Sequence, residues 1–356
     1  MIKLNGVWIS TGLALGAAAV GIGAFGVAHG QAKYPAWPYP EKYDSIKAAP
    51  KNNKLLFEDV KLRFIEVTIR PGETEPMNGQ PYPAVYFHEE PMPDASQIVD
   101  KKLDPNSALN GQGAGHGTAP AGMDFPTCDT LAPLAPHEVT NHGTIPIHYY
   151  VLEFKRLDGL DLGANWKTWY PWMVPPIPVV QNVDASKLGP PFSKEFPYPI
   201  GLDSVSAAPN NHKALYADAH VRLVEVTERP ESQENVHGHP YRSVFVNDIA
   251  FAGRGPAQPN PNAPPAVGAV VGSGQIASAP LGKPGPYHKG ENGDYQLDPK
   301  AIPMGRGGPG RPPEGMIAPT CSAATPQAPH AHINGGEVPG HFYRLEFLRA
   351  DWITRD

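Results

Sequence analysis

The chain repeats itself. Asp44-Ser45-Ile46-Lys47-Ala48-Ala49-Pro50 returns as Asp203-Ser204-Val205-Ser206-Ala207-Ala208-Pro209, 159 positions later. The same offset carries Trp37-Pro38-Tyr39-Pro40 onto Phe196-Pro197-Tyr198-Pro199, and Arg63 to Thr68 onto Arg222 to Thr227. A second block matches at an offset of 193: Pro126-Thr127-Cys128 with Pro319-Thr320-Cys321, His148-Tyr149-Tyr150 with His341-Phe342-Tyr343, Glu153-Phe154 with Glu346-Phe347. The two offsets differ by 34 residues, which are extra sequence in the middle of the second copy. Two gapless blocks in the same order mark an internal repeat. Its period is far too long for a solenoid unit, so each copy reads as a whole domain.

The shared blocks read as strands. Leu62 to Ile69 and Val221 to Thr227 interleave β-branched and apolar residues with polar ones, and Ile147 to Phe154 and His341 to Phe347 are rich in aromatics. Pro71-Gly72 supplies a turn. The chain has 44 Pro and 37 Gly, which break or loosen helices, and no long amphipathic pattern is sustained. An all-β fold follows, with an antiparallel sandwich or barrel in each copy. The boundaries expected are 33–159 for the first domain, 160–191 for a linker and 192–356 for the second. Trp166, Trp169, Tyr170 and Trp172 of the linker are expected to pack between the domains, and the Pro/Gly/Ala-rich stretch 253–289 reads as a surface loop.

Residues 1–32 read as a secretion signal: Lys3 precedes an apolar, small-residue stretch from Val7 to Ala28, and Ala28-His29-Gly30 and Gly30-Gln31-Ala32 both suit a signal peptidase. An uncleaved membrane anchor is the rival reading. Cleavage removes Lys3 and no acid, so the formal net charge goes from −6 to −7. That sign argues against nucleic acid as a partner. The location expected is periplasmic or secreted, with no membrane contact after cleavage. In such a compartment the two cysteines, Cys128 and Cys321, can be bonded. They occupy matching places in the copies. If the copies pack about a pseudo-twofold axis, a disulfide between them is expected.

Copy two holds His237-Gly238-His239 after its first long strand. Histidines two apart on a strand point to one face and can grip a single ion. His330, in Pro329-His330-Ala331-His332-Ile333-Asn334, is the best third ligand, with His332 as a substitute. Three neutral imidazoles would hold a divalent metal such as Fe, Mn, Ni or Zn and leave open positions for chemistry. A His-x-His pair also occurs on loops by accident. Copy one has Asn78-Gly79-Gln80 and His137 in the matching places. It is expected to bind no transition metal, while Asn78, Gln80 and His137 could bond a polar ligand.

These residues resemble the motifs of the cupin superfamily. The first motif is Gly, five residues, then His-x-His: Gly72 precedes Asn78-Gly79-Gln80 at that spacing, and Glu231 stands in the glycine's place before His237-Gly238-His239. The second motif ends in His, three residues, Asn, as His137…Asn141 and His330…Asn334 do. The resemblance covers both copies and implies a bicupin, two tandem jelly-roll (double-stranded β-helix) barrels. Two departures stand out. Ser243 and Val244 occupy the place of the motif's glutamate, and the Pro-x-Gly before the second histidine is missing. The resemblance therefore implies a three-histidine site, as in cupin dioxygenases, in an exported oxidoreductase acting on a small molecule. The alternatives are a non-catalytic small-molecule (sugar-like) binding protein and a structural protein, for which a homo-oligomer would be in keeping.

Of the remaining histidines, His148 and His341 recur in both copies and point to a structural role. His142, His212, His220 and His288 read as loop or surface residues. Arg63 and Arg222, with Glu66 and Glu225, recur at strand spacing and read as members of cross-strand ion pairs.

Overall fold

The computed structural model describes residues 36–110, 115–155, 190–228, 232–248, 276–278, 288–289, 295–296, 306–310, 319–330, 332–334 and 340–349. The signal segment, nearly all of the linker with its aromatic residues, and most of the 253–289 loop lie outside the described residues.

The first half opens on a short helix, α1 (Ser45–Ala48), in which the Asp44 carboxylate accepts from the Ile46 N–H as its cap. Nine strands follow: β1 (Asn53–Glu58), β2 (Leu62–Ile69), β3 (Thr74–Gln80), β4 (Ala84–His88), β5 (Ile98–Lys102), β6 (Gly115–Gly117), β7 (Thr127–Leu131), β8 (Leu134–Asn141) and β9 (Ile147–Phe154). The second half opens on α2 (Ser204–Ala207), capped by Asp203. Its strands are β10 (His212–Ala217), β11 (Val221–Glu228), β12 (Ser232–Gln233), β13 (His237–His239), β14 (Ser243–Asn247), β15 (Ile276–Ser278), β16 (His288–Lys289), β17 (Tyr295–Gln296), β18 (Thr320–Ala324), β19 (Gln327–His330), β20 (His332–Asn334) and β21 (Gly340–Phe347).

Strand pairing is antiparallel and nested. In the first half the large sheet runs β1-β2-β9-β4-β7-β6 and the small one β3-β8-β5. The second strand thus pairs with the last and the third with the one before last, the wrapping of a jelly roll. The second half repeats this as β10-β11-β21-β14-β18, with β13-β19 and β12-β20-β15 as the smaller sheets. Even the irregularities recur: the register slips between Leu55 and Phe57 in β1, and between Ala214 and Tyr216 in β10.

The long strands are buried on both faces, which is why their sequences are almost continuously apolar. On β2, Leu62 and Phe64 face one way and Ile65 and Val67 the other. The first pair joins Val85, Phe87, Tyr150, Leu152 and Phe154 in a cluster shared with Val221, Leu223, Val244, Val246, Tyr343, Leu345 and Phe347 of the second half. This is the core between the two barrels. The opposite face of the first large sheet, with Ile65, Val67, Ala84, Tyr86 and Val151, lines the interior of barrel one.

The expected cross-strand ion pairs form, and the same alternation selects the partners. Arg63 and Glu66 are three apart on β2 and so lie on opposite faces. Arg63 instead bonds Glu153 (2.6 Å) and Asp44 (2.8 Å) inside barrel one, and Arg222 bonds Glu346 (2.7 Å) and Asp203 (2.9 Å) in barrel two. Each bridge ties the helix cap to the last strand. Glu66 and Glu225 face the other barrel. Glu66 meets His148 (3.3 Å), and Glu225 meets His341 (3.1 Å) and Lys61 of barrel one.

Within that shared core, toward one edge of the two sheets, Cys128 of β7 and Cys321 of β18 form a disulfide, with Cα atoms 6.4 Å apart. Two matching Gly-x-Gly stretches, 115–117 and 308–310, press around it. A Cβ on Gly117 would lie 2.7 Å from the Cys128 sulfur, and one on Gly310 would lie 2.6 Å from the Cys321 sulfur.

Candidate metal centre

β13 is short and extended, so His237 and His239 both point into barrel two while Gly238 between them points out. Gly238 is needed there: a Cβ would lie 2.7 Å from the Phe196 ring. β19 places His330 directly opposite His237 in the register. The ring centroids of His237 and His330 are 4.6 Å apart, and those of His237 and His239 are 5.2 Å apart.

A fourth imidazole joins them. His212, expected at the surface, is buried with its ring 4.4 Å from that of His237 and 5.2 Å from that of His239. The reason is local. After α2 the chain turns inward, Asn211 donates to the Thr227 carbonyl, and His212 becomes the first residue of β10. One donor atom each from His212, His237 and His239 lies within 4.8 Å of the others. The matched position in copy one, Asn53, is polar and begins its strand too, and this was the signal available in the sequence.

The hydrogen bonds set the tautomers. Nδ1 of His237 bonds the Asn235 carbonyl (2.8 Å), Nδ1 of His330 the Ala328 carbonyl (2.8 Å), and Nδ1 of His239 the Glu346 carboxylate (3.1 Å). Carbonyl and carboxylate oxygens accept, so each Nδ1 carries the hydrogen and each Nε2 is the lone-pair atom. Burial, with the Arg344 charge and the neighbouring rings, holds His239 well below the usual imidazole range, so it is neutral. Neutral rings oriented through their second nitrogen are what a metal site requires.

His330 is the exception. Its Nε2 accepts from the Gln327 amide at 3.0 Å, and Gln327 Oε1 accepts from Arg344 Nη1 at 3.1 Å. His330 thus stands beside the other three rings with its lone pair engaged. His332 is on β20, and only its backbone is described. A carboxylate also approaches, from before the His-x-His rather than after it: Glu234 Oε2 lies 3.7 Å from His237 Nε2. The donor set fits Fe, Mn, Ni or Zn and does not choose among them.

Barrel one is built differently at every matched position. Asn53 bonds the Glu75 carboxylate, Asn78 donates to the Pro76 carbonyl (2.8 Å), and Gln80 accepts from the Tyr86 hydroxyl. His137 pairs with Asn78 in the register, yet its Nδ1 contacts Asp100 at 3.0 Å. All three amides are engaged within the protein, and the imidazole is committed to the neighbouring strand.

The repeated histidines sit in the interface. His341 is held between Glu225 and Asp248, each 3.1 Å away, and these acids raise it to about 9 against the opposing effect of burial. His148 lies within 3.4 Å of Glu66, Glu89 and Glu90. His142 and His220 are exposed.

No family model matches the chain, and no curated protein does. Among solved structures, AerE from Microcystis aeruginosa is 8% identical over 81% of this chain and 88% of that one, with a TM-score of 0.20. An oxalate decarboxylase is 12% identical over 85% and 70%, at 0.18. A salicylate 1,2-dioxygenase from Pseudaminobacter salicylatoxidans is 10% identical over 82% and 72%, also at 0.18. The strand order is that of two jelly-roll barrels in tandem, as the repeat and its motifs led one to expect.

Proposed function

We propose that the chain is an exported metalloprotein whose second barrel holds a divalent ion and acts on a small molecule as a dioxygenase-like oxidoreductase. Barrel one is its structural support, derived from the same ancestral unit. The observation that carries this reading is the convergence of His212, His237 and His239, with His330 alongside, all buried and three of them fixed in the Nδ1–H form. Such an ion supplies Lewis acidity and, if redox-active, a route for electrons to oxygen. The protein's part is to orient the rings: Glu346 and two backbone carbonyls fix three of them, and Gln327 tethers His330 to Arg344. Pairing of the only two cysteines with each other suits an exported chain.

The engagement of His330 by Gln327 favours a second reading, a barrel that binds a sugar-like small molecule without turnover. Metal analysis of purified, reconstituted protein tests the first. About one ion per chain is expected, falling below about a tenth in His237→Ala. A wild-type content already below that level would leave the binding reading standing.

A further inference from the structure

Two interior positions of barrel two carry hydrogen-bond donors where barrel one is apolar. Arg344 on β21 matches Val151, and Ser243 on β14 matches Ala84. Val151 and Ala84 belong to the apolar cluster that fills barrel one. Arg344 and Ser243 are both fully buried. They lie on the same face of the large sheet, since Phe245 pairs with Arg344 and Ser243 with Glu346 in adjacent places of the β14–β21 register. On that face Glu346 reaches His239, so both donors look toward the imidazoles.

Donor accounting leaves the guanidinium incomplete. Arg344 Nη1 donates to Gln327 (3.1 Å). Its Nε is 3.6 Å from Glu346 Oε1, beyond hydrogen-bond distance, and neither Nε nor Nη2 has an acceptor among the described residues. The Ser243 hydroxyl has none either. Glu346 balances the guanidinium's charge across that 3.6 Å gap, and its oxygens accept from Arg222 and His239. The Phe245 ring lies 4.5 Å from the guanidinium carbon and supports its face. A supported guanidinium with a vacant edge suits a planar two-oxygen anion.

We infer that barrel two binds the carboxylate of a small organic acid through Arg344 and Ser243, beside the imidazole cluster. This deepens the metal reading by naming the substrate class, and it rests on that reading for any chemistry that follows. Gln327, bonded to both Arg344 and His330, links the anion position to the ring that completes the cluster.

Calorimetric titration of the whole protein with acetate and malonate tests it, with acetamide and inorganic phosphate as controls. The two carboxylates should bind, acetamide should bind roughly tenfold or more weakly, and Arg344→Met should lose roughly tenfold or more in carboxylate affinity. Should Arg344→Met fail to fold, Arg344→Lys and Ser243→Ala replace it, and the acetate–acetamide contrast needs no variant. Equal binding of acetamide, preference for phosphate over the carboxylates, or unchanged affinity in Arg344→Met overturns the inference. Metal content measured on the same samples separates it from the metal reading. Arg344-dependent acetate binding without metal leaves the anion site standing alone, and bound metal with indifference to Arg344→Met removes only the anion site.

Discussion

The two barrels share a framework and differ in what fills it. Both open with an aspartate-capped turn of helix, both anchor that aspartate to the last strand through an arginine, and both bend their first strand at the same residue. Inside, five matched positions change character. Asn53, Asn78, Gln80, Ala84 and Val151 face His212, His237, His239, Ser243 and Arg344. None of these ten residues belongs to the Asp–Arg–Glu bridge or to the inter-barrel core. The comparison teaches that the framework is carried by a few ion bridges and the outer sheet face. The inner face is left to vary, provided each new polar group finds a partner inside the barrel or in a ligand.

The strongest way to break the comparison is to move one interior into the other. The triple variant Asn53→His, Asn78→His and Gln80→His, with the native His137, rebuilds the imidazole set in barrel one. It should raise metal content from about one to about two ions per chain by elemental analysis. A content that stays near one would show that the Val151 interior and the His137–Asp100 contact matter more than the ligands.

A smaller effect separates the two interface histidines. The folded-state value of His341, about 9, lies above the ordinary imidazole range. Its contribution is therefore fully present below about pH 6.5 and is lost as pH rises through 9. Urea unfolding of the wild type should show a loss on the order of 2–3 kcal/mol between about pH 6.5 and pH 9.5, and His341→Gln should remove that slope. Glu89 beside His148 acts in the same direction over a lower window. Burial raises it to about 7, so its unfavourable contribution grows as pH rises from the ordinary carboxylate range to about 7. His148→Gln should leave the alkaline slope in place.

The smallest effect compares the two strand glycines. A Cβ on Gly79 would meet the Leu134 carbonyl oxygen at 2.6 Å and the Pro136 nitrogen at 2.9 Å, both backbone, whereas on Gly238 it meets the Phe196 ring. Gly79→Ala should cost about 2–3 kcal/mol and Gly238→Ala about 1 kcal/mol, because a ring can shift where a ladder cannot. Thermal unfolding of both variants would rank them, and a larger loss for Gly238→Ala would mean that Phe196 is held rigidly.

Much of this was legible because a repeated sequence reports on itself. Strands β2 and β9 were readable to the residue, since burial on both faces leaves an unusually apolar run. His237 and His239 were legible from their spacing. His212 was not, because a histidine at the entrance of a strand looks the same whether the chain next turns inward or outward. Glu234 and Arg344 were hidden for a related reason: strand parity shows which residues share a face, and which face is the interior emerges only when the barrel closes. The cross-strand ion pairs were legible as a class and not by partner, since Glu153 and Glu346 come opposite the arginines only once the strands pair.

The disulfide has a topological consequence. Cys128 and Cys321 are 193 residues apart, and the inter-domain linker and the long insertion of the second copy both lie between them. A protease that cuts once anywhere in that interval cannot release a fragment while the bridge is intact. The severed chain would still migrate as one molecule until a reductant is added. For a chain read as working outside the cell, the stretches richest in proline and glycine can thus be nicked without separating the imidazole barrel from its partner.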